Sequence, residues 1–195
     1  MKQGELIGIA AVAAVVVLFA MSLAGPGTRI GNGWQYLTNG NQQGQAPATG
    51  PSIVGGPSLS AAKIDSILAA AGSPARGLGY EFTLDSATYD IDSAYALGFY
   101  HHESSFGTSG IAVQTHSLGN IRCSDGYSCI GGFRAYPSWQ AGIDDWFKLI
   151  SGPAYVGGGL TTLSQIIPKY APASENDPSA YIAAVQSDVT NWRQS

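Results

Sequence analysis

The side chains with the greatest chemical capacity in this chain crowd into one segment, Tyr100-His101-His102-Glu103-Ser104-Ser105-Phe106-Gly107-Thr108-Ser109-Gly110. Its carboxylate, Glu103, follows an apolar stretch and precedes a Gly- and Ser-rich one. With Phe99, Tyr100 and Phe106 around it, the charged form would lose hydration, which raises the pKa and keeps the acid protonated near neutral pH. Such an acid can donate its proton to a leaving oxygen, that of a glycosidic bond among them. The plainer reading is a Glu that caps or pairs at a helix end.

Neighbouring residues narrow the chemistry. His102-Glu103 begins a His-Glu-x-x-His zinc pattern, but Phe106 stands where the second His is needed, so no metal and no other cofactor is expected. One His of the pair His101 and His102 is expected inside a cleft, with His102 as the binding candidate, and the other in solvent. Ser104 and Ser105 lie in no Gly-x-Ser-x-Gly elbow, so they are not nucleophiles; their hydroxyls are expected to orient Glu103. A second carboxylate is scarce. Asp125 is the only acid between Gly107 and Tyr136, and it is the candidate base of an inverting pair, whose carboxyls stand about 6.5–9.5 Å apart. Its Ser-Asp-Gly setting equally suits a plain turn.

These residues need elements to hold them. Ser58 to Ser60 open a helix with Ile64, Ile67 and Leu68 on one face, which Gly72 and Ser73-Pro74 end. A helix from Asp92 or Ser93 runs towards Glu103, and Gly107 and Gly110 terminate it. From 107 to 136 the composition turns to Gly, Ser and Thr. Short runs at Ile111-Ala112-Val113 and Phe133-Arg134-Ala135-Tyr136 predict a small β-lobe. Ser138 caps a helix whose core stripe is Trp139, Ile143, Trp146, Phe147 and Ile150. Thr161 or Thr162 caps another, broken at Pro168, and Asp177-Pro178 starts the last, with Tyr181, Ile182, Val185, Val189 and Trp192 on one face. The expected fold class is α+β and predominantly helical, with a cleft between the helices and the small lobe.

Ahead of this domain, Leu6 to Ala24 is a 19-residue run without a charge, long enough as a helix to cross a hydrocarbon layer of ~30 Å. Residues 1–24 are therefore expected to be a single-pass membrane anchor. The rival is a cleaved signal with Ser22-Leu23-Ala24 as its processing site, which would release a secreted protein. Either way the domain lies outside the cytoplasm. Residues 25–57, with nine Gly and four Pro, read as a disordered linker. Without a core pattern there, deleting Gln35 to Gly56 is expected to leave the domain active. Residues 58–195 form the expected globular unit.

In an exported chain Cys123 and Cys129 are expected to form a disulfide; zinc would need two further ligands, and none stands nearby at finger spacing. Only 11% of the 195 residues are charged. From residue 58 on, 12 acidic and 7 basic side chains give a net charge of −5 with His neutral. Counterion release cannot drive such a surface onto nucleic acid, which is excluded as a partner. A monomer is expected.

Several stretches resemble a known family. Glu103-Ser104-Ser105-Phe106-Gly107-Thr108-Ser109 is similar to the ESxxGTS box of bacterial endo-β-N-acetylglucosaminidases, the family with a mannosyl-glycoprotein endo-β-N-acetylglucosaminidase-like domain. Ser117-Leu118-Gly119-Asn120-Ile121 resembles the family's NNxFGIK stretch and, more closely, the NPGNIR form of phage-type wall-degrading proteins. Phe133-Arg134-Ala135-Tyr136-Pro137-Ser138 resembles their FRxYxS turn, and Tyr170-Ala171-Pro172 with Asn176-Asp177-Pro178-Ser179-Ala180-Tyr181 resembles the segment whose Tyr lines a lysozyme-like cleft. The likeness spans roughly residues 60 to 193.

The resemblance implies a lysozyme-like fold and hydrolysis of β-1,4 bonds in the glycan strands of peptidoglycan, with Glu103 as general acid and Tyr181 beside it. Asn120, Tyr136 and Tyr170, with His102 and Ser105, are then the substrate-binding candidates. Tyr127 would stack on a sugar face, while Arg122 and Arg134 would meet muramyl lactate or peptide carboxylates, or else serve as surface charges. His116-Ser117-Leu118 replaces the family's Asn-Asn pair. With the second catalytic group open, attack by the substrate's own N-acetyl group, assisted by Tyr181 as a catalytic residue, and lytic transglycosylation remain alternatives to an Asp125 base. A non-catalytic wall-binding or assembly protein that kept the cleft is a further one.

Overall fold

A computed structural model describes residues 50–195. The expected anchor, and the linker as far as residue 49, lie outside the described residues, among which no helix is long and apolar enough to cross a membrane. The protein is mostly helical with one two-stranded sheet. In chain order it forms α1 (Ala61–Ala70), α2 (Gly79–Tyr89), α3 (Ser93–Ser104), the single turn α4 (Ala112–Thr115), β1 (Cys129–Ile130), β2 (Phe133–Arg134), α5 (Trp139–Ser151), α6 (Leu163–Tyr170) and α7 (Pro178–Gln194), with a 3-10 turn at Val156–Gly158 between α5 and α6.

The centre of the fold is α3. Every residue from Ser93 to Tyr100 is buried, the behaviour of a helix with no polar face. Asp92 caps it by accepting from the Ala94 N–H at 2.8 Å, and Arg193 from α7 pairs with the same carboxylate. Phe99 packs against Trp146, Tyr170 and Tyr181 with ring centroids 5.1, 5.2 and 5.7 Å away, so one α3 side chain joins α5, α6 and α7. A Cβ at Gly98 would lie 2.7 Å from Val185 Cγ1. That glycine lets α7 close on α3 and brings Tyr181, one turn before Val185, to the end of α3 that carries Glu103.

The helix start expected at Ser58 to Ser60 is capped by Ser60, Ser138 and Asp177 cap as expected, and of Thr161 and Thr162 it is Thr162 that stands at the N-cap. Four expectations change. First, α2 occupies residues where the sequence indicated no helix. It has no side-chain cap, and only Gly79, Phe82, Asp85 and Ser86 are buried on it, so its apolar stripe is too thin to read. Second, Ile111-Ala112-Val113 is not a strand: Ala112 and Val113 begin α4, and the sheet of the lobe reduces to Cys129↔Arg134 and Ile130↔Phe133. Third, Pro168 does not break α6, which continues to Tyr170.

Fourth, the linker ends earlier than residue 57. Ile53 is fully buried, its N–H bonds Thr161 O at 2.8 Å, and Ser52 and Val54 bridge to Thr162 and Ile91. A deletion reaching Gly56 therefore removes part of the folded unit, contrary to the neutral outcome expected above. Ile53→Ala is predicted to lower unfolding free energy by about 2–4 kcal/mol, measurable by urea denaturation.

Asp85 faces Asp144 and Glu81 from a buried position, and desolvation with these two charges raises its pKa to about 6. The folded state thus keeps a proton that the unfolded chain loses near pH 4, and stability falls as pH rises from about 4 to 6. Asp85→Asn is predicted to raise the melting temperature at pH 7 and leave it nearly unchanged at pH 4.

Candidate active site

Glu103 lies on the last turn of α3, where the backbone turns sharply. Ser105 and Phe106 take φ of 49° and 57°, followed by Gly107 at 81°. The left-handed region costs a side-chain-bearing residue on the order of 1 kcal/mol, and three contacts hold Phe106 there. Its ring stacks on His101 at 4.9 Å and meets Trp192 at 6.1 Å, and its carbonyl accepts from Ser73 Oγ at 2.7 Å. At Gly107 a Cβ would sit 2.7–2.8 Å from Trp139 and Leu118, so glycine is needed for space as well as for φ.

The loop after α4 is bound to this corner. Ser104 Oγ donates to Leu118 O at 2.7 Å and accepts from the Gly107 N–H at 2.8 Å. Asn120, itself at φ 46°, donates from Nδ2 to the Glu103 carbonyl at 2.7 Å, and its Oδ1 is buried without a partner. Tyr170 donates to Gly119 O and accepts from Trp146 Nε1 at 3.1 Å. A Cβ on Gly119 would collide with Trp146. These bonds fix the wall beside Glu103 from α3, α5 and α6 at once.

Tyr181 donates to Glu103 Oε1 at 2.8 Å. Burial raises the Glu103 pKa to about 7, against the opposing pull of the Tyr181 hydroxyl, Arg122 and Asn120. Burial also drives the Tyr181 phenol far above its ordinary value, with the Glu103 charge adding to it, so Tyr181 acts as a hydrogen-bond donor throughout the neutral range. Near pH 7 Glu103 is then divided between acid and carboxylate, the condition for a group that must give up a proton and recover it.

A cavity of about 520 Å³ opens at Glu103. Its wall includes Asn120, Arg122, Cys123 and Ser124 from the lobe, Tyr155, Lys169 and Tyr170 from around α6, and Glu175 from the loop before α7. Cys123 and Cys129 form a disulfide with Cα atoms 5.8 Å apart. With the Cys123 N–H bonded to Gly132 O at 2.9 Å, it pins the rim of the cavity to the hairpin.

The sequence candidates separate accordingly. Glu103, Asn120 and Tyr170 share the cavity wall, and Tyr181 reaches Glu103. Four others do not line it. Asp125 is exposed in the disulfide-closed loop, where the Asp-Gly turn reading suffices. His102 packs on the Tyr181 ring at 3.8 Å and supports that ring from outside the cavity. Ser105 is exposed at the helix end, and Ser104, not Ser105, orders the corner. Tyr136 donates to Asp145 at 2.7 Å, beside Arg134 and Tyr127 on the same carboxylate, so the lobe's polar side chains are joined to α5.

Glu175, Lys169 and Tyr155 were not foreseen. Glu175 is the only acid between Asp145 and Asp177, a signal available in the Pro-Ala-Ser-Glu-Asn loop but without a pattern to single it out. Among the described residues no three His, Cys, Asp or Glu side chains converge as metal ligands. Compared with known proteins, the chain matches no protein-family model and no curated sequence.

Tyr181→Phe removes a donor that favours the Glu103 carboxylate while keeping the ring. The Glu103 titration, followed by carboxyl-carbon NMR, is predicted to move to higher pH than in the wild type; an unchanged titration would separate the two groups.

Proposed function

We propose that this chain is a glycoside hydrolase of lysozyme-like architecture that cuts β-1,4 bonds in peptidoglycan glycan strands on the N-acetylglucosamine side, held at the outer face of a membrane by Leu6 to Ala24. The observation that carries this reading is the Glu103 carboxyl at a cavity wall, braced by the Tyr181 hydroxyl at 2.8 Å, with burial raising its pKa. The resemblance of Glu103 to Ser109 and of the later stretches to wall-degrading glucosaminidases supports the substrate.

In this reading Glu103 protonates the glycosidic oxygen as the bond to the anomeric carbon breaks. Tyr181 keeps Oε1 oriented and leaves the other oxygen for the substrate. Because Asp125 lies outside the cavity wall, the positive charge developing at the anomeric carbon is met by the carbonyl of the substrate's own 2-acetamido group. The resulting oxazolinium ion is opened by a water that gives its proton to the Glu103 carboxylate, restoring the acid. With Asp125 outside the wall and Glu175, the other carboxylate on it, paired with Arg122, one second reading is favoured, a lytic transglycosylase, in which the muramoyl 6-hydroxyl replaces water.

Glu103→Gln keeps the side-chain volume but has no proton to donate. It is predicted to lower release of soluble muropeptides from purified sacculi by about 10²–10⁴-fold, whereas Asp125→Asn lowers it less than about tenfold. Glu103→Gln activity within roughly threefold of wild type would overturn the assignment. Mass spectrometry of the products distinguishes the two readings, since only the transglycosylase leaves 1,6-anhydromuramic ends.

A further inference from the structure

Charge is distributed unevenly over this acidic domain. Of the 7 basic side chains from residue 58 onward, Arg122, Arg134 and Lys169 all line the one cavity at Glu103, and their partners differ. Arg134 is committed to the fold: it donates to Asp145 at 2.7 Å, with both side chains 12% exposed, and lies over the Tyr127 ring at 3.8 Å. Among the described residues Lys169 meets no carboxylate. Its Nζ donates to Ala154 O at 2.6 Å and lies 5.2 Å from the Tyr155 ring centroid. Arg122, braced over Phe133 at 4.8 Å, pairs with Glu175 across the cavity mouth, and the two side chains are 63% and 51% exposed.

An ion pair this open contributes little to folding and exchanges readily for another carboxylate of the same geometry. We propose that Arg122 and Lys169 form a carboxylate-binding subsite of the cleft, and that Glu175 is its resident occupant, displaced from Arg122 when an anionic glycan enters. This rests on the function proposed above and narrows its substrate. The ligand is a glycan carrying carboxylates beside the scissile bond, as muramoyl lactyl and stem-peptide groups do, and not a neutral N-acetylglucosamine polymer. Glu175 raises the threshold for weakly anionic chains, because a ligand must outcompete it. Arg134 takes no part, since Asp145 already neutralises it.

Binding without turnover tests this in the full chain carrying Glu103→Gln, by co-sedimentation with sacculi freed of phosphate polymers. Half of the sacculi have their carboxyls amidated with a neutral amine. Amidation is expected to weaken binding at least ~5-fold, and Arg122→Gln and Lys169→Met to weaken it ~3–10-fold on native sacculi only. Glu175→Gln is expected to tighten binding to native sacculi ~2–5-fold, by removal of the competing carboxylate. A merely structural Glu175 would do the reverse. Restored phosphate polymers that rescue binding to amidated sacculi would assign the subsite to phosphate and overturn the carboxylate claim. Equal binding to native and amidated sacculi, or weaker binding by Glu175→Gln, overturns the subsite alone. Binding to neither overturns the glycan reading together with it.

Discussion

The structure depends on the cost of placing a carboxylic acid at the end of a helix that has no solvent-facing side. From Ser93 to Tyr100 the α3 helix is surrounded by protein; in its last turn His101 and His102 reach solvent while Glu103 stays partly buried against Tyr181. A carboxylate there loses hydration that the Tyr181 phenol, the Arg122 guanidinium and the Asn120 amide only partly replace, and the acid form gains accordingly. The same burial that secures the core therefore sets the protonation state of Glu103. Stability and chemistry are here two consequences of one desolvation.

Holding the acid at the surface of a cavity requires the chain to leave α3 abruptly, and the corner from Ser104 to Gly107 does so through three successive left-handed residues. Two of them bear side chains, so the corner would relax without external restraint. The restraints come from several directions: Ser73 before α2, Leu118 in the loop after α4, and the rings of His101 and Trp192. Ser104 and Asn120 tie the same corner to the 117–120 loop, so the wall and the acid move together. Among the described residues the Oδ1 of Asn120 is buried without a partner, while its Nδ2 is committed to the Glu103 carbonyl.

The small lobe achieves order with little regular structure. Its strands are two residues each, and what holds it is Asp145, which gathers Tyr127, Arg134 and Tyr136 onto one carboxylate. Three donors outweigh the burial of that group and keep it ionised. With the Cys123–Cys129 disulfide, this network fixes the rim that presents Arg122 to the cavity.

Much of the frame was legible in the amino-acid sequence because it follows from local rules. Ser60, Ser138, Thr162 and Asp177 announce helix starts through side-chain caps that act within three residues, and the α5 stripe repeats with the helical period. Glu103 was legible as a partly desolvated carboxyl because its aromatic neighbours adjoin it in the chain, and the resemblance of Glu103 to Ser109 singled it out as the candidate acid. What failed were features whose partners are remote. The α2 helix has a thin stripe and no side-chain cap, and Ile53 joins the fold through core packing and through backbone bonds to Thr161 and Asp92, residues 108 and 39 positions away. Asp125 and Glu175 were indistinguishable as lone acids in polar loops; only the packing of the α6–α7 loop against the lobe puts Glu175 at the cavity and leaves Asp125 in solvent. Sequence by itself determined the caps, the central apolar helix and the acid at its end, since these depend on neighbours along the chain. Tertiary structure decided which charges face that acid, because electrostatic partnership depends on distance in space and on the water excluded between the groups.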